Sequence, residues 1–216
     1  MVDYPSAQPM FVDEQRTFIN AAPRAAIVIH KTGGTPDIPS LAHYFQTDPS
    51  MKSSHYGIGQ DGTVAQFVLE KDGAAANCCV EAGYDPFWQP YVNQYINLNL
   101  CTISIEHCIQ RSTTAQKDAS FKLVAYLAKK YNIAPDRIKG HHTIDPIKRT
   151  RCPGNYPWDE LWAHLKGSTI DLTDPVVAGY FSATPGGQWQ CKRTGYIVQK
   201  GILSFYRSYG QDGTVD

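Results

Sequence analysis

The stretch GHHTIDPIKRTRCPGN, Gly140 to Asn155, sets two adjacent histidines and a cysteine around a loop carrying Lys148, Arg149 and Arg151. Three chemistries fit those residue types. Cys152 could close a disulfide arm, the basic loop could hold a phosphate, or His141 and Cys152 could be two thirds of a metal site. A catalytic zinc uses three protein ligands and leaves a fourth position for water. His, His and Cys suit it, the imidazoles binding as neutral rings and the cysteine as thiolate. Zinc so held brings the pKa of a water to about 7 and polarises a carbonyl. The chemistry then also needs a proton shuttle and a donor for the developing oxyanion.

Further donors must come from elsewhere in the chain. Of its seven histidines, His43 and His164 fall within helical segments and read as ordinary surface or half-buried side chains. His30, His55, His107, His141 and His142 fall at strand ends or on polar strand faces, where a sheet presents side chains to a shared cleft. Glu106, on the polar face of a strand, is the best proton shuttle. The six cysteines form no CxxC pair, which argues against a zinc finger or a thioredoxin-like motif. With Cys152 on a metal, five remain, enough for at most two disulfides.

The elements that must position these groups read as follows. AAIVIH (Ala25–His30) is an apolar run stopped by a Gly pair, a buried strand ending on His30. PSLAHYFQT is a short helix with Ser40 as its N-cap. In HYGIGQDGTVAQFVL, Asp61-Gly62 between two β-prone runs predicts a type I′ hairpin. CTISIEHC alternates Ile103 and Ile105 with Thr102, Ser104 and Glu106, a strand with one apolar and one polar face. TTAQKDASFKLVAYLAKKYNI puts Phe121, Val124, Leu127, Ala128 and Tyr131 on one helical stripe, capped by Thr113 or Thr114. DRIKGHH is a last short strand, and YPWDELWAHL a closing helix. This order predicts an α/β domain with a single mixed β-sheet flanked by helices. The texture changes after Gly167. The expected division is a domain over 1–167 and a small C-terminal extension over 168–216, the extension too short for a large core of its own.

Lys+Arg and Asp+Glu are both 20, so no net charge calls for a nucleic-acid partner. No apolar run reaches the ~18 residues of a membrane span. The start MVDYPSAQPM shows no signal peptide.

Four segments, IVIHKTGG, SSHYGIGQDGTVAQFV, NLNLCTISIEHC and GHHTIDPIKRTRCPGN, occur in the order and spacing of type-2 N-acetylmuramoyl-L-alanine amidases. That superfamily includes the cell-wall recycling amidases, phage lysins and peptidoglycan recognition proteins. The resemblance spans roughly residues 20 to 165. It implies an amidase/peptidoglycan recognition protein-like fold with Zn2+ held by His30, His141 and Cys152. Glu106, in the IxIE position, would carry the acid/base work, since Ser54 stands where other branches have a tyrosine. Thr150, two residues before Cys152, would help hold the oxyanion.

Asn77 stands near where the family often has a histidine close to substrate. His55 and Trp88 are further candidates for substrate contact, Trp88 and Tyr91 lying in the long aromatic insert EAGYDPFWQPYVNQYINLN. His142, pointing the opposite way from His141 along a strand, falls outside the ligand set, and His107 has a structural role.

The implied activity is zinc-dependent hydrolysis of the amide between N-acetylmuramic acid and L-alanine in peptidoglycan. The enzyme would be a monomer acting on the cell wall, extracellular or phage-delivered, as an endolysin, an autolysin or an antimicrobial weapon. The competing reading is a non-catalytic recognition module that binds peptidoglycan; the presence of both Cys152 and Glu106 favours catalysis. GYIVQKGILSFYRSYG is expected either to begin a wall-binding aromatic repeat or to be a packing extension.

Overall fold

The computed structural model describes residues 1–78, 80–108, 112–167, 181–183, 189–191 and 197–198. They fall into two units, Met1–Pro157 and Trp158–Asp216. The closing helix, α5 below, therefore groups with the C-terminal unit.

In the first unit the strands are β1 (Gln8–Pro9), β2 (Thr17–Phe18), β3 (Ala26–Lys31), β4 (Tyr56–Ile58), β5 (Val64–Gln66), β6 (Gly73–Ala74), β7 (Thr102–His107) and β8 (Ile138–Gly140). Six of them form one sheet in the order β1-β5-β4-β7-β3-β8, while β2 and β6 pair separately. β3 is parallel to both β7 and β8, β4 is parallel to β7, and β4 and β5 are antiparallel. The sheet is thus mixed, as expected. β3 lies at its interior, so Ala26 to Ile29 are wholly buried. An apolar run without alternation belongs in such a position. Each such aliphatic side chain contributes about 1.5–3 kcal/mol by leaving water.

The helices are α1 (Ile38–Thr47), α2 (Gln89–Asn93), α3 (Leu98–Cys101) and α4 (Thr114–Tyr131). α1 is capped by Asp37, whose carboxylate accepts from the Ser40 backbone N–H at 2.8 Å. Ser40 therefore lies inside the helix, because Pro39 fits its first turn and needs no donor there. α4 is capped by Thr113 and ends at Asn132 in the left-handed conformation. Phe121, Val124, Leu127 and Ala128 are buried, as their spacing predicts. The β4–β5 turn is wider than a two-residue hairpin. Gly59 N–H bonds Thr63 O, and of Asp61 and Gly62 only the glycine has positive φ. Asp61 instead accepts from Thr63 through its side chain.

Trp88 is fully buried, packed in a cluster with Ala26, Val28, Leu98, Cys101 and Ile144. Its Nε1–H donates to Thr143 Oγ1 at 3.0 Å. The expectation that Trp88 stacks on substrate is therefore corrected: the ring has no open face. The insert exposes Tyr95 instead, which is 96 % accessible.

The second unit contains α5 (Trp158–Gly167) and three short antiparallel strands, Phe181–Ala183, Trp189–Cys191 and Ile197–Val198. The aromatic stretch from Gly195 onward lies, apart from Ile197 and Val198, outside the described residues.

One buried cation ties the site-bearing strands to their surroundings. Arg24 donates to the carbonyls of Glu70, Asp72, Leu100 and Thr102, all between 2.5 and 3.2 Å. It thereby locks the entry of β3 to the entry of β7. Arg24→Met keeps the bulk and leaves those acceptors without a donor, each worth about 1–3 kcal/mol. The expected loss is about 3 kcal/mol or more in urea unfolding.

Candidate metal centre

Parallel pairing of β3 with β7 sets His30 directly beside Glu106. β8 pairs on the other side of β3, bringing Gly140 opposite Ile29 and delivering His141 next to His30. The chain then makes a short 3-10 turn over His141–Thr143 rather than continuing the strand. His141 turns inward and is buried, while His142 is exposed.

The opposite facing of the two histidines thus has a different origin from strand alternation. His142 anchors the end of the loop, its backbone N–H and ring Nδ1 both bonding the Cys152 carbonyl at 2.9 Å. Gly140 makes this return feasible: a Cβ there would lie 2.7 Å from the His142 ring and from Pro153 Cδ. Gly154, at φ +72°, sits under the Lys31 side chain, 2.6 Å from Nζ to where a Cβ would be.

The result is one cluster. Ligand atoms of His30, His141 and Cys152 lie within 4.8 Å of one another. The two Nδ1 atoms are 3.0 Å apart, and Glu106 Oε1 is 3.9 Å from His30 Nδ1. Two nitrogens on one tetrahedral zinc at about 2.0–2.1 Å would be about 3.3 Å apart. The donor set therefore fits that ion with small side-chain rotations.

The electrostatics point the same way. Burial first, then the neighbouring His141, holds the His30 pKa well below its usual value. His141 is lowered to about 4 by burial and then by Arg149. Both rings are neutral at pH 7, the form that binds a metal. Burial, then the Glu106 charge, pushes the Cys152 thiol up to about 12. Only a cation beside it would favour the thiolate at neutral pH. Glu106 is raised to about 7 by burial, against the pull of Arg149 and Lys52. That value suits a group which both takes and gives a proton near neutrality.

The other expected residues lie outside the ligand set. Thr150 is exposed in the loop before Cys152. His55 is buried and enclosed by hydrogen bonds. Its Nδ1 accepts from the Ser104 backbone N–H at 3.1 Å, and its Nε2–H donates to Asp72 O at 3.0 Å. His55 has no face for substrate, and that expectation is corrected on the same ground as Trp88. Asn77 is also buried, its backbone N–H donating to Asn99 Oδ1 and its Nδ2 to Thr102 Oγ1. His107 supports the backbone, donating from Nδ1 to His30 O at 2.9 Å and accepting at Nε2 from Ser120.

Arg149, which its sequence context leaves unassigned, reaches the site electrostatically and bears on His30, His141, Glu106 and Cys152 together. No spacing rule marks it out. Only the fold of the loop does.

The buried histidines set an acid limit. His55 and His107 are lowered to about 3 and about 4 by burial, and His141 also to about 4. Unfolded, each takes a proton near pH 6.5, so the unfolded chain binds more protons between pH 6.5 and 4. Their stabilising contribution is complete above pH 6.5 and is lost as pH falls through the folded values. Glu106, raised instead, acts in the opposite sense between its ordinary value and pH 7, and offsets one histidine. Chelator-treated protein should therefore lose a few kcal/mol between pH 6.5 and 4, read as a falling urea midpoint.

Comparison with known proteins converges on the same region. The profile of the N-acetylmuramoyl-L-alanine amidase family matches residues 20–155. No curated protein sequence matches the chain. Among solved structures, a selenomethionine derivative of AmpD aligns with TM-score 0.59 and 20% identity, over 76% of this chain and 98% of its own. A mutant endolysin from Bacillus subtilis aligns with TM-score 0.55 and 18% identity, over 76% and 99%. The amidase LysC from Clostridium intestinale URNW aligns with TM-score 0.52 and 23% identity, over 76% and 94%. At these identities the structures speak for the fold. The family profile, covering most of the chain and every strand and loop that builds the metal-ligand cluster, shows that this protein belongs to the N-acetylmuramoyl-L-alanine amidase family.

Proposed function

We propose that this amidase is zinc-dependent and cuts the bond between the lactyl group of N-acetylmuramic acid and L-alanine in peptidoglycan. The observation that carries the reading is the meeting of His30, His141 and Cys152 beside a half-buried Glu106, from three strands and a loop distant in sequence. His30 and His141 would hold the ion through neutral rings and Cys152 through its thiolate. Zinc there would supply a Lewis acid and lower the pKa of a water. Glu106 takes a proton from the attacking water and returns it to the alanine nitrogen as the C–N bond breaks. Its Oε2 is buried with no hydrogen-bond partner, so no neighbour competes for that proton. Thr150 is assigned as a donor to the substrate oxyanion, with Arg149 adding positive charge at the same mouth.

The remaining assignments follow from this substrate. The protein would act on the cell wall in the manner of an endolysin, as a monomer, and could serve as an autolysin or antimicrobial agent. Residues 1–167 would form the catalytic part and 168–216 an extension that helps hold the wall. No described helix is long and apolar enough to cross a membrane.

Release of free alanine amino groups from purified walls tests the reading. Wild type should release them, a chelator should stop release, and zinc should restore it. Release that ignores chelation would overturn the zinc mechanism. Glu106→Gln should lower kcat about 10²–10⁴-fold while keeping both zinc and wall binding. If wild type binds walls, holds zinc and still releases nothing, the protein is a recognition module. Thr150→Val should lower kcat by about 10²-fold with little change in KM, the usual effect of losing one oxyanion donor.

A further inference from the structure

Besides Glu106 Oε2, two buried polar atoms beside the metal-ligand cluster lack hydrogen-bond partners, and their chemistries are complementary. One is His30 Nε2 and the other is Asn77 Oδ1. The His30 ring turns Nδ1 toward His141 and Glu106. A neutral imidazole that offers Nδ1 as a ligand must carry its proton on Nε2. Nε2 is then a buried donor in need of an acceptor.

Asn77 is built to be that acceptor. Its backbone N–H bonds Asn99 Oδ1 at 2.6 Å, which fixes the main chain. Its amide orientation is set by Thr102. The Thr102 hydroxyl donates its own proton to Leu98 O at 2.6 Å, so it can only accept from Asn77. The Asn77 Nδ2 therefore faces Thr102, at 2.8 Å, and Oδ1 is left as the free acceptor. Thr102 opens β7, the strand that ends beside His30 with Glu106 and His107, so the anchor belongs to the same sheet as the ligand. The Asn77 side chain also stands within hydrogen-bonding reach of the His30 ring.

We infer that Asn77 is a positioning residue for the metal site, accepting the Nε2–H of His30 and so holding the ring in the tautomer that presents Nδ1 to the ion. This rests on the zinc reading above. Partners of this kind fix the orientation and raise the basicity of a ligating histidine, and their loss lowers metal affinity about 10–100-fold. Asn77 thus gains a role that does not require it to touch substrate.

The test compares Asn77→Leu, which keeps the shape and removes the acceptor, with Asn77→Asp, which keeps an acceptor oxygen. Zinc affinity is measured by competition against a chromophoric chelator, with far-UV circular dichroism of the metal-free proteins as a folding check. The Leu variant should bind zinc about 10–100-fold more weakly than wild type, and the Asp variant should recover most of that loss. A Leu variant that matches wild type overturns the inference, as does equal weakening in both folded variants. Wild type that takes up no zinc overturns the zinc reading itself, and this inference with it.

Should the Leu variant fail to fold, nitrogen NMR of the zinc-loaded wild type decides. The His30 proton on Nε2, slow to exchange, supports the assignment; a proton on Nδ1, or a fast-exchanging Nε2–H, overturns it.

Discussion

The pairing of β3 with β7 is the constraint on which the rest depends. Six consecutive residue pairs run in parallel register from Ala26–Thr102 to Lys31–His107. Because side chains alternate along a strand, this register puts Ala26, Val28 and His30 on one face with Thr102, Ser104 and Glu106. A slip of one residue would place His30 opposite an isoleucine or His107 and turn Glu106 away. Both ends of the register are held by buried groups. Arg24 bonds the carbonyls at the strand entries, and the His107 ring bonds His30 O at the other end.

From that register the chemistry follows through burial. Neutral histidines and a neutral thiol collect where water is scarce, beside a carboxyl raised to titrate at about 7. A cation reverses the balance for Cys152 and needs no change in the histidines, which already lie on the ligating side of their titration. The loop from His141 to Cys152 closes this pocket. Its return is secured by His142 on the Cys152 carbonyl and by the missing Cβ at Gly140.

Much of this was legible in the amino-acid order. The apolar run before His30, the Ile-Ser-Ile alternation before Glu106 and the long stripe of α4 each encode local structure in their period, and the sheet is built from them. The features that differed depend on contacts distant in sequence. The cap of α1 passed to Asp37 because Pro39 could enter the first turn. Trp88 and His55 looked like cleft residues by type, yet the insert folds Trp88 under itself and the Ser104 hydroxyl and Asp72 carbonyl enclose His55. Asn77, read from the sequence as a substrate contact, is buried for the same kind of reason: its partners, Asn99 and Thr102, lie more than twenty positions away. The influence of Arg149 appears only once the basic loop is folded over the cluster.

The central claim is that three named side chains meet on one zinc ion. X-ray absorption of the zinc-loaded protein tests it most directly, alongside metal content for wild type and for His30→Ala, His141→Ala and Cys152→Ser. The account predicts one zinc per chain, with two nitrogen ligands and one sulfur ligand at about 2.0–2.1 and 2.3 Å. It also predicts that the sulfur contribution disappears with Cys152→Ser and that zinc falls away with either histidine variant. A zinc shell without sulfur in the wild type, or full zinc retained when His30 is removed, would contradict it.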